Sequence, residues 1–274
     1  APRRQLNNQI LMHTWPFRTY SAESALTAAA SLGYDGIELW TGGHYGVEGL
    51  VEKKEPISDA LKKFGVPMVA VTFGSPATSK KVEERKAGLS KFRSLIGVLK
   101  DLGVSVVNTS PGPPQSKNAG EDDYKLASEY FSEAGDYLKD EGLTLALEIH
   151  MGVLTDTAAS TAKLLKLVGS RKVVANWDPG NMYATEGAEA PSEAFQILKG
   201  FIGYMHVKNC KKIGGEYVWS ASVEDGDLDF NKIFSMLRSI DYGGAFCVEY
   251  SGLGDPNVVA SRDIKYVRGL LKGS

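Results

Sequence analysis

The chain alternates, from one end to the other, between short apolar stretches and longer amphipathic ones. QILMHTW is followed by SAESALTAAASL, YDGIELW by a glycine-rich loop and SDALKKF, and PMVAVTF by KVEERKAGLSKFRSLIGVLKDL. VSVVNTS precedes EDDYKLASEYFSEAGDYLKDE, LTLALEIH precedes TDTAASTAKLLKLV, and KVVANWDPG precedes SEAFQILKGF. IGYMHVKN leads through an insertion to DFNKIFSMLRSI, and GAFCVEY precedes NVVASRDIKYVRGLL. Several of the strands are apolar on both faces, as strands covered on both sides must be. Eight strand–helix units in 274 residues predict an α/β fold, a closed (β/α)8 TIM barrel spanning residues 1–274 as a single domain. A doubly wound open sheet is the competing arrangement. It would carry a phosphate-binding loop after its first strand, where this chain has HTWPFRTY, and neither GxGxxG nor GxxxxGK[ST] occurs.

Composition narrows the partners. The net charge is −2, which gives no broad attraction to nucleic acid or to an anionic membrane. No apolar run of about 18 residues suggests a membrane span. Cys210 and Cys247 do not make a disulfide framework, so a reducing cytoplasm is the expected setting. The start, APRRQLNNQI, has neither Met nor an apolar leader core, and a periplasmic location after leader removal stays open.

In a barrel, chemistry sits at the C-terminal ends of the strands. Read there, the fifth strand offers Glu148 and His150, the sixth Asp178 and Asn181, the seventh His206 and Lys208, and the eighth Glu249. Residues two apart on a strand share a face, so Glu148 with His150, and His206 with Lys208, are expected to project together toward the mouth. Bare carboxylates gathered there would repel one another. A divalent cation resolves the repulsion. Three carboxylates and one imidazole form a hard, mostly oxygen donor set suited to Mn²⁺ or Mg²⁺, with Co²⁺ or Zn²⁺ as alternatives. Against this stands the ordinary fact that charged residues accumulate wherever strands meet solvent. Four neighbouring strands supplying the right residue types carry the argument.

From GYDGIELW through LEIH, NWDPGN, HVKN and DGDLDF to GGAFCVEY, the chain resembles the xylose-isomerase-like TIM barrels, the sugar phosphate isomerase/epimerase superfamily. The resemblance implies one divalent metal bound by Glu148, Asp178, His206 and Glu249. It also implies that Glu148 and Glu249 act as a proton-shuttling pair on a sugar or polyol. A metal that chelates a carbonyl and a neighbouring hydroxyl stabilises an enediolate, and one carboxylate removes the proton that the other returns. Two departures stand out. Many epimerases of this family have His where this chain has Asn181, and the usual Gly-x-Gly after the seventh strand reads EDGDLD here. Pairing into a homodimer is a further implication of the resemblance.

Other residues carry a functional and a structural reading side by side. His150 either binds substrate or is a satisfied structural histidine, and Lys208 either holds a substrate oxygen or makes an ion pair. Glu38 matches a family position near the mouth but could equally have the structural role of capping its strand or pairing with a neighbouring cation. Trp15, sharing a face with His13 on the first strand, is either a stacking wall for a sugar or core packing. Phe17 and Tyr45 are weaker versions of the same idea, and His44 belongs to a loop that could close over a ligand.

The leading reading is a metal-dependent isomerase or epimerase. A lyase or dehydratase acting on a keto-sugar or 3-keto-glycoside is the alternative, because the same base and metal would serve. An AP-endonuclease-like repair enzyme comes next, but only four His and no basic face speak against it. A sugar-binding barrel without turnover is the last.

Overall fold

The computed structural model describes residues 5–219 and 221–273. Eight parallel strands close into a barrel: β1 (Ile10–His13), β2 (Gly36–Trp40), β3 (Met68–Thr72), β4 (Val106–Thr109), β5 (Thr144–Glu148), β6 (Val173–Trp177), β7 (Ile202–Val207) and, as the eighth stave, β10 (Phe246–Val248). The ring is completed where β10 pairs with β1, Cys247 standing beside Leu11. Between β7 and the eighth stave lies a small antiparallel hairpin, β8 (Lys211–Ile213) and β9 (Glu216–Val218). This hairpin is the insertion seen in the sequence.

Around the barrel run α1 (Ala22–Leu32), α2 (Gly46–Glu52), α3 (Lys54–Phe64), α4 (Val82–Asp101), α5 (Glu121–Tyr137), α6 (Ala158–Val168), α7 (Pro179–Tyr183), α8 (Pro191–Leu198), α9 (Phe230–Ser239) and α10 (Pro256–Lys272). Local chemistry marks their ends. Ser21 caps α1 by accepting the Ser24 N–H, and Gly33 closes it in the left-handed region at φ 80°. The stretch read as a glycine-rich loop after β2 contains α2, a helix too short for its periodicity to be legible. No helix among the described residues is long and apolar enough to cross a membrane.

The barrel interior is layered by the two-residue period of its strands. Leu11, Val69, Ala70, Ala146, Tyr204 and Cys247 fill the lower level. Two residues further along several of these strands the interior turns polar: His13 after Leu11, Thr72 after Ala70, Glu148 after Ala146, His206 after Tyr204 and Glu249 after Cys247. The same step that makes a dry floor therefore raises a polar deck above it. Both cysteines are buried and free.

Candidate active site

Glu148 ends β5, Asp178 follows β6, His206 lies near the end of β7 and Glu249 follows the eighth stave. One donor atom from each of the four lies within 4.8 Å of the others. His206 Nδ1 stands 3.2 Å from Glu249 Oε2, 3.6 Å from Glu148 Oε1 and 3.7 Å from Asp178 Oδ2. Among the described residues that nitrogen is buried with no hydrogen-bond partner, and Glu249 Oε2 likewise has no aligned hydrogen bond. The four do not face the mouth equally. The side chains of Glu148 and Glu249 are 12% and 11% exposed, against 0% for Asp178 and 1% for His206.

The NWDPGN stretch is built around this point. Asp178 is the N-cap of α7: its Oδ1 accepts the Asn181 N–H at 2.9 Å and its Oδ2 accepts from Asn181 Nδ2 at 2.8 Å. Pro179 supplies the preorganised first helical position. Gly180 is required because a Cβ there would come within 2.7 Å of the Lys208 carbonyl oxygen. Asn181 also donates to Glu148 Oε1 at 3.2 Å and accepts from Lys208 Nζ at 3.1 Å. Asn181 and Lys208 thus join the carboxylate group. Lys208 Nζ lies 2.9 Å from Glu249 Oε2 and 3.4 Å from Asp178 Oδ2.

The electrostatics follow from burial and pairing. Burial opposes ionisation of Glu249, but Lys208, His13 and His206 outweigh it and hold its carboxyl well below the ordinary range. Burial likewise opposes ionisation of Glu148, and His206 overcomes it despite repulsion from Glu249. Burial works against a charged His206, yet Glu38, Glu148 and Asp178 push it well up. Lys208 is raised in the same way, desolvation losing to Asp178, Glu249 and Glu148.

Beneath these residues the deck is continuous. Asn176 Nδ2 donates to Asn108 Oδ1 at 3.0 Å, and Asn108 Nδ2 donates to Glu148 Oε2 at 3.0 Å and to Thr72 Oγ1 at 3.3 Å. The Thr72 hydroxyl donates to Glu38 Oε1, and Tyr204 donates to Glu38 Oε2 at 2.6 Å. Glu38 Oε2 is also 2.8 Å from His206 Nε2. The sequence reading missed Asn108, Thr72 and Tyr204. Tyr204 and Thr72 carried a signal, since each sits on the inward face fixed by the period of its strand.

Four expectations about placement need correction. The fifth strand stops at Glu148, so His150 does not continue it. Its Nδ1 is 2.9 Å from the Met151 carbonyl oxygen, it is half-buried, and it lies outside the four-donor group. Trp15 is not on the first strand but opens a 3-10 turn, Trp15–Phe17, where it is half-buried with the Arg18 guanidinium 3.9 Å from its ring centre. Glu38 has no exposed surface, because three hydroxyl or imidazole partners close over it below the mouth. His44 is on a loop but not solvated: it is buried, within reach of Thr14 Oγ1 and the carbonyls of Phe17 and Tyr20.

The hairpin adds a residue no pattern pointed to. Trp219, directly after β9, is half-buried with its ring centre 5.6 Å from Lys208 Nζ. A groove of about 1280 Å³, lined by Trp177, Phe195 and residues of α7, α8 and α9, lies elsewhere on the barrel. None of the four donor residues lines it, so size and chemistry point to different places. The donors decide.

The xylose isomerase-like TIM barrel pattern matches residues 26–270. Inosose dehydratase of Clostridium perfringens is 24% identical over 276 aligned positions, covering 90% of this chain and 89% of its own. A xylose isomerase-like TIM barrel protein of Mycobacterium smegmatis, solved in complex with magnesium, superposes with a TM-score of 0.80 at 20% identity, covering 97% of each chain. The 3-keto-D-glucoside 4-epimerase YcjR of E. coli gives 0.76 at 18% identity, covering 96% of this chain and 100% of its own. With the pattern spanning most of its length, this chain belongs to the xylose isomerase-like TIM barrel family.

Proposed function

We propose that this protein is a divalent-metal-dependent sugar isomerase or epimerase that moves a proton on the carbon next to a carbonyl. The observation that carries the reading is the convergence of three carboxylates on an imidazole nitrogen that has no hydrogen-bond partner among the described residues. A buried, unsatisfied nitrogen facing carboxylates is costly unless something occupies the space between them. Glu148, Asp178, His206 and Glu249 would hold the ion. Their hard donor set favours Mn²⁺ or Mg²⁺, with Co²⁺ or Zn²⁺ as alternatives. Magnesium in the Mycobacterium smegmatis protein supports a divalent ion of this kind. When bound, the ion would act as a Lewis acid toward substrate oxygens.

The rest falls to the chain's own groups. Glu148 and Glu249 are the two members of the set that reach the mouth, so they are the acid and base. Lys208, at 2.9 Å, keeps Glu249 ionised, the form in which a base must start. Asn108 and Asn181 fix the Glu148 carboxylate from two sides. Lys208 and the half-buried indoles of Trp15 and Trp219 are the candidates for holding the sugar, with Asn181 behind them.

A second reading, elimination of water from a keto-polyol or of a substituent from a 3-keto-glycoside, is favoured by the match to inosose dehydratase over 90% of the chain. The two separate in D₂O. Incubation with ketoses, inososes and 3-keto-glycosides is expected to place deuterium next to the carbonyl and to give products otherwise of unchanged mass. Loss of water or of an aglycone would instead establish the lyase. Glu148→Gln and Glu249→Gln should each lower exchange by about 10²- to 10⁴-fold. Undiminished exchange in both variants would refute the assignment of the pair.

A further inference from the structure

Glu38 has no exposed surface and lies under the donor group rather than in it. Its two oxygens meet only donors. Oε2 takes the Tyr204 hydroxyl at 2.6 Å and faces His206 Nε2 at 2.8 Å. Oε1 takes the Thr72 hydroxyl and faces His13 Nε2 at 3.6 Å. His13 is itself oriented, because its Nδ1 accepts the Trp15 N–H at 3.0 Å, which leaves Nε2 to carry its proton toward Glu38. An ionised carboxylate can only accept. The proton between Glu38 and His206 must therefore reside on His206 Nε2, so Nδ1 is the nitrogen turned to the donor group above, able to give its lone pair to a cation once any proton it carries is displaced.

Resting on the metal reading given above, we propose that Glu38, backed by His13, is a positioning residue. It fixes the tautomer and ring orientation of His206 and thereby sets the affinity of the Glu148–Asp178–His206–Glu249 group for a divalent cation. The geometry leaves little alternative for the ring. Rotating it would take Nε2 from the Glu38 carboxylate into the carboxylate group above and leave Glu38 without its closest nitrogen partner. A neutral amide cannot replace Glu38 on equal terms. One end of Gln would accept, but its NH₂ would face either the Thr72 and His13 donors or the Tyr204 and His206 donors. In the second orientation it would draw the imidazole proton to Nδ1 and block the donor site. Carboxylate partners of this kind typically govern metal affinity by about 10- to 100-fold.

The test titrates Mn²⁺ into metal-stripped wild type and Glu38→Gln by calorimetry, with circular dichroism and thermal melts confirming that both are folded. Glu38→Gln is expected to bind Mn²⁺ about 10- to 100-fold more weakly. Should it fail to fold, Glu38→Asp serves, since it keeps the charge but withdraws the oxygens from His206 and should also weaken binding. Tyr204→Phe, which keeps the Glu38–His206 contact, should stay within about threefold of wild type, as no proton on His206 changes. An independent readout is the downfield imidazole N–H signal of His206 in ¹⁵N-labelled protein, expected in wild type both metal-free and with diamagnetic Mg²⁺ and lost in Glu38→Gln. Unchanged affinity in a folded Glu38→Gln variant, or absence of that signal from wild type, overturns the proposal. A wild type that shows the signal but takes up no cation overturns the metal reading of the site instead.

Discussion

Lys208 gives the sharpest test of how the site balances its charge. Its side chain is 6% exposed, and its ammonium lies 2.9 Å from Glu249 and 3.4 Å from Asp178. Replacing it with Met keeps most of the stem and removes the charge. In the metal-free protein two nearly buried carboxylates then lose their ammonium partner. Breaking a buried pair from one side costs about 3–5 kcal/mol, which for a chain of this size corresponds to a melting temperature lower by about 10 °C. A divalent cation bound by the same carboxylates restores positive charge where the ammonium was lost. Mn²⁺ at a thousand times its dissociation constant adds about 4 kcal/mol to either form by mass action, so the gap between them narrows only by the variant's gain in affinity for the ion. Removing a positive neighbour should tighten the cation's binding. The assay is a pair of melting curves for wild type and Lys208→Met, each with and without Mn²⁺, and the expected result is a large gap that narrows when the ion is present. Equal losses in both conditions, or none in the metal-free protein, would show that Lys208 does not share its carboxylates with a cation.

Two further outcomes follow from groups away from the donor set. Burial pushes the Asp263 carboxyl up to about 7 against the lowering pull of the Val223 N–H and Arg262. Because the folded value lies above the unfolded one, this residue's contribution is fully present at low pH and is lost as pH rises from about 4 through 7, by up to about 4 kcal/mol. Asp263→Asn should flatten that part of the stability profile measured by denaturant titration, and an unchanged slope would refute the assignment. Asn209, the last residue of HVKN, accepts the N–H groups of Cys210 and Leu228 at 3.0 and 3.1 Å and donates to the carbonyls of Val223 and Leu228 at 2.8 and 3.0 Å. Asn209→Ala leaves those backbone groups unpaired, a loss of about 3 kcal/mol after water enters, and hydrogen exchange at the Cys210 and Leu228 amides should accelerate.

Much of this architecture was legible because it is periodic. A strand that repeats every two residues fixes its own inward face, so the sequence alone assigns Glu148, His206 and Glu249 to one level. The barrel itself was legible because eight apolar strands alternating with helices leave few other ways to bury them. What stayed hidden depends on contacts distant in sequence. Asn108 reaches Glu148 across 40 positions and Glu38 reaches His206 across 168, and no local pattern encodes either pairing. Strand ends were the other weak point. The apolar run into His150 looked like continuing strand, but the chain leaves the sheet after Glu148, whose carbonyl accepts the Thr155 hydroxyl at 2.7 Å.

The polar deck that crosses the barrel has an evolutionary consequence. Glu38, Thr72, Asn108 and Tyr204 brace His206 and one side of Glu148 from inside the wall, using partners drawn from β2, β3, β4 and β7, while Asn181 on α7 holds the other side of Glu148. The loops and the hairpin above can then be lengthened, shortened or exchanged with little effect on the reactive groups. Substrate preference is free to drift at the rim while the machinery below it is inherited intact.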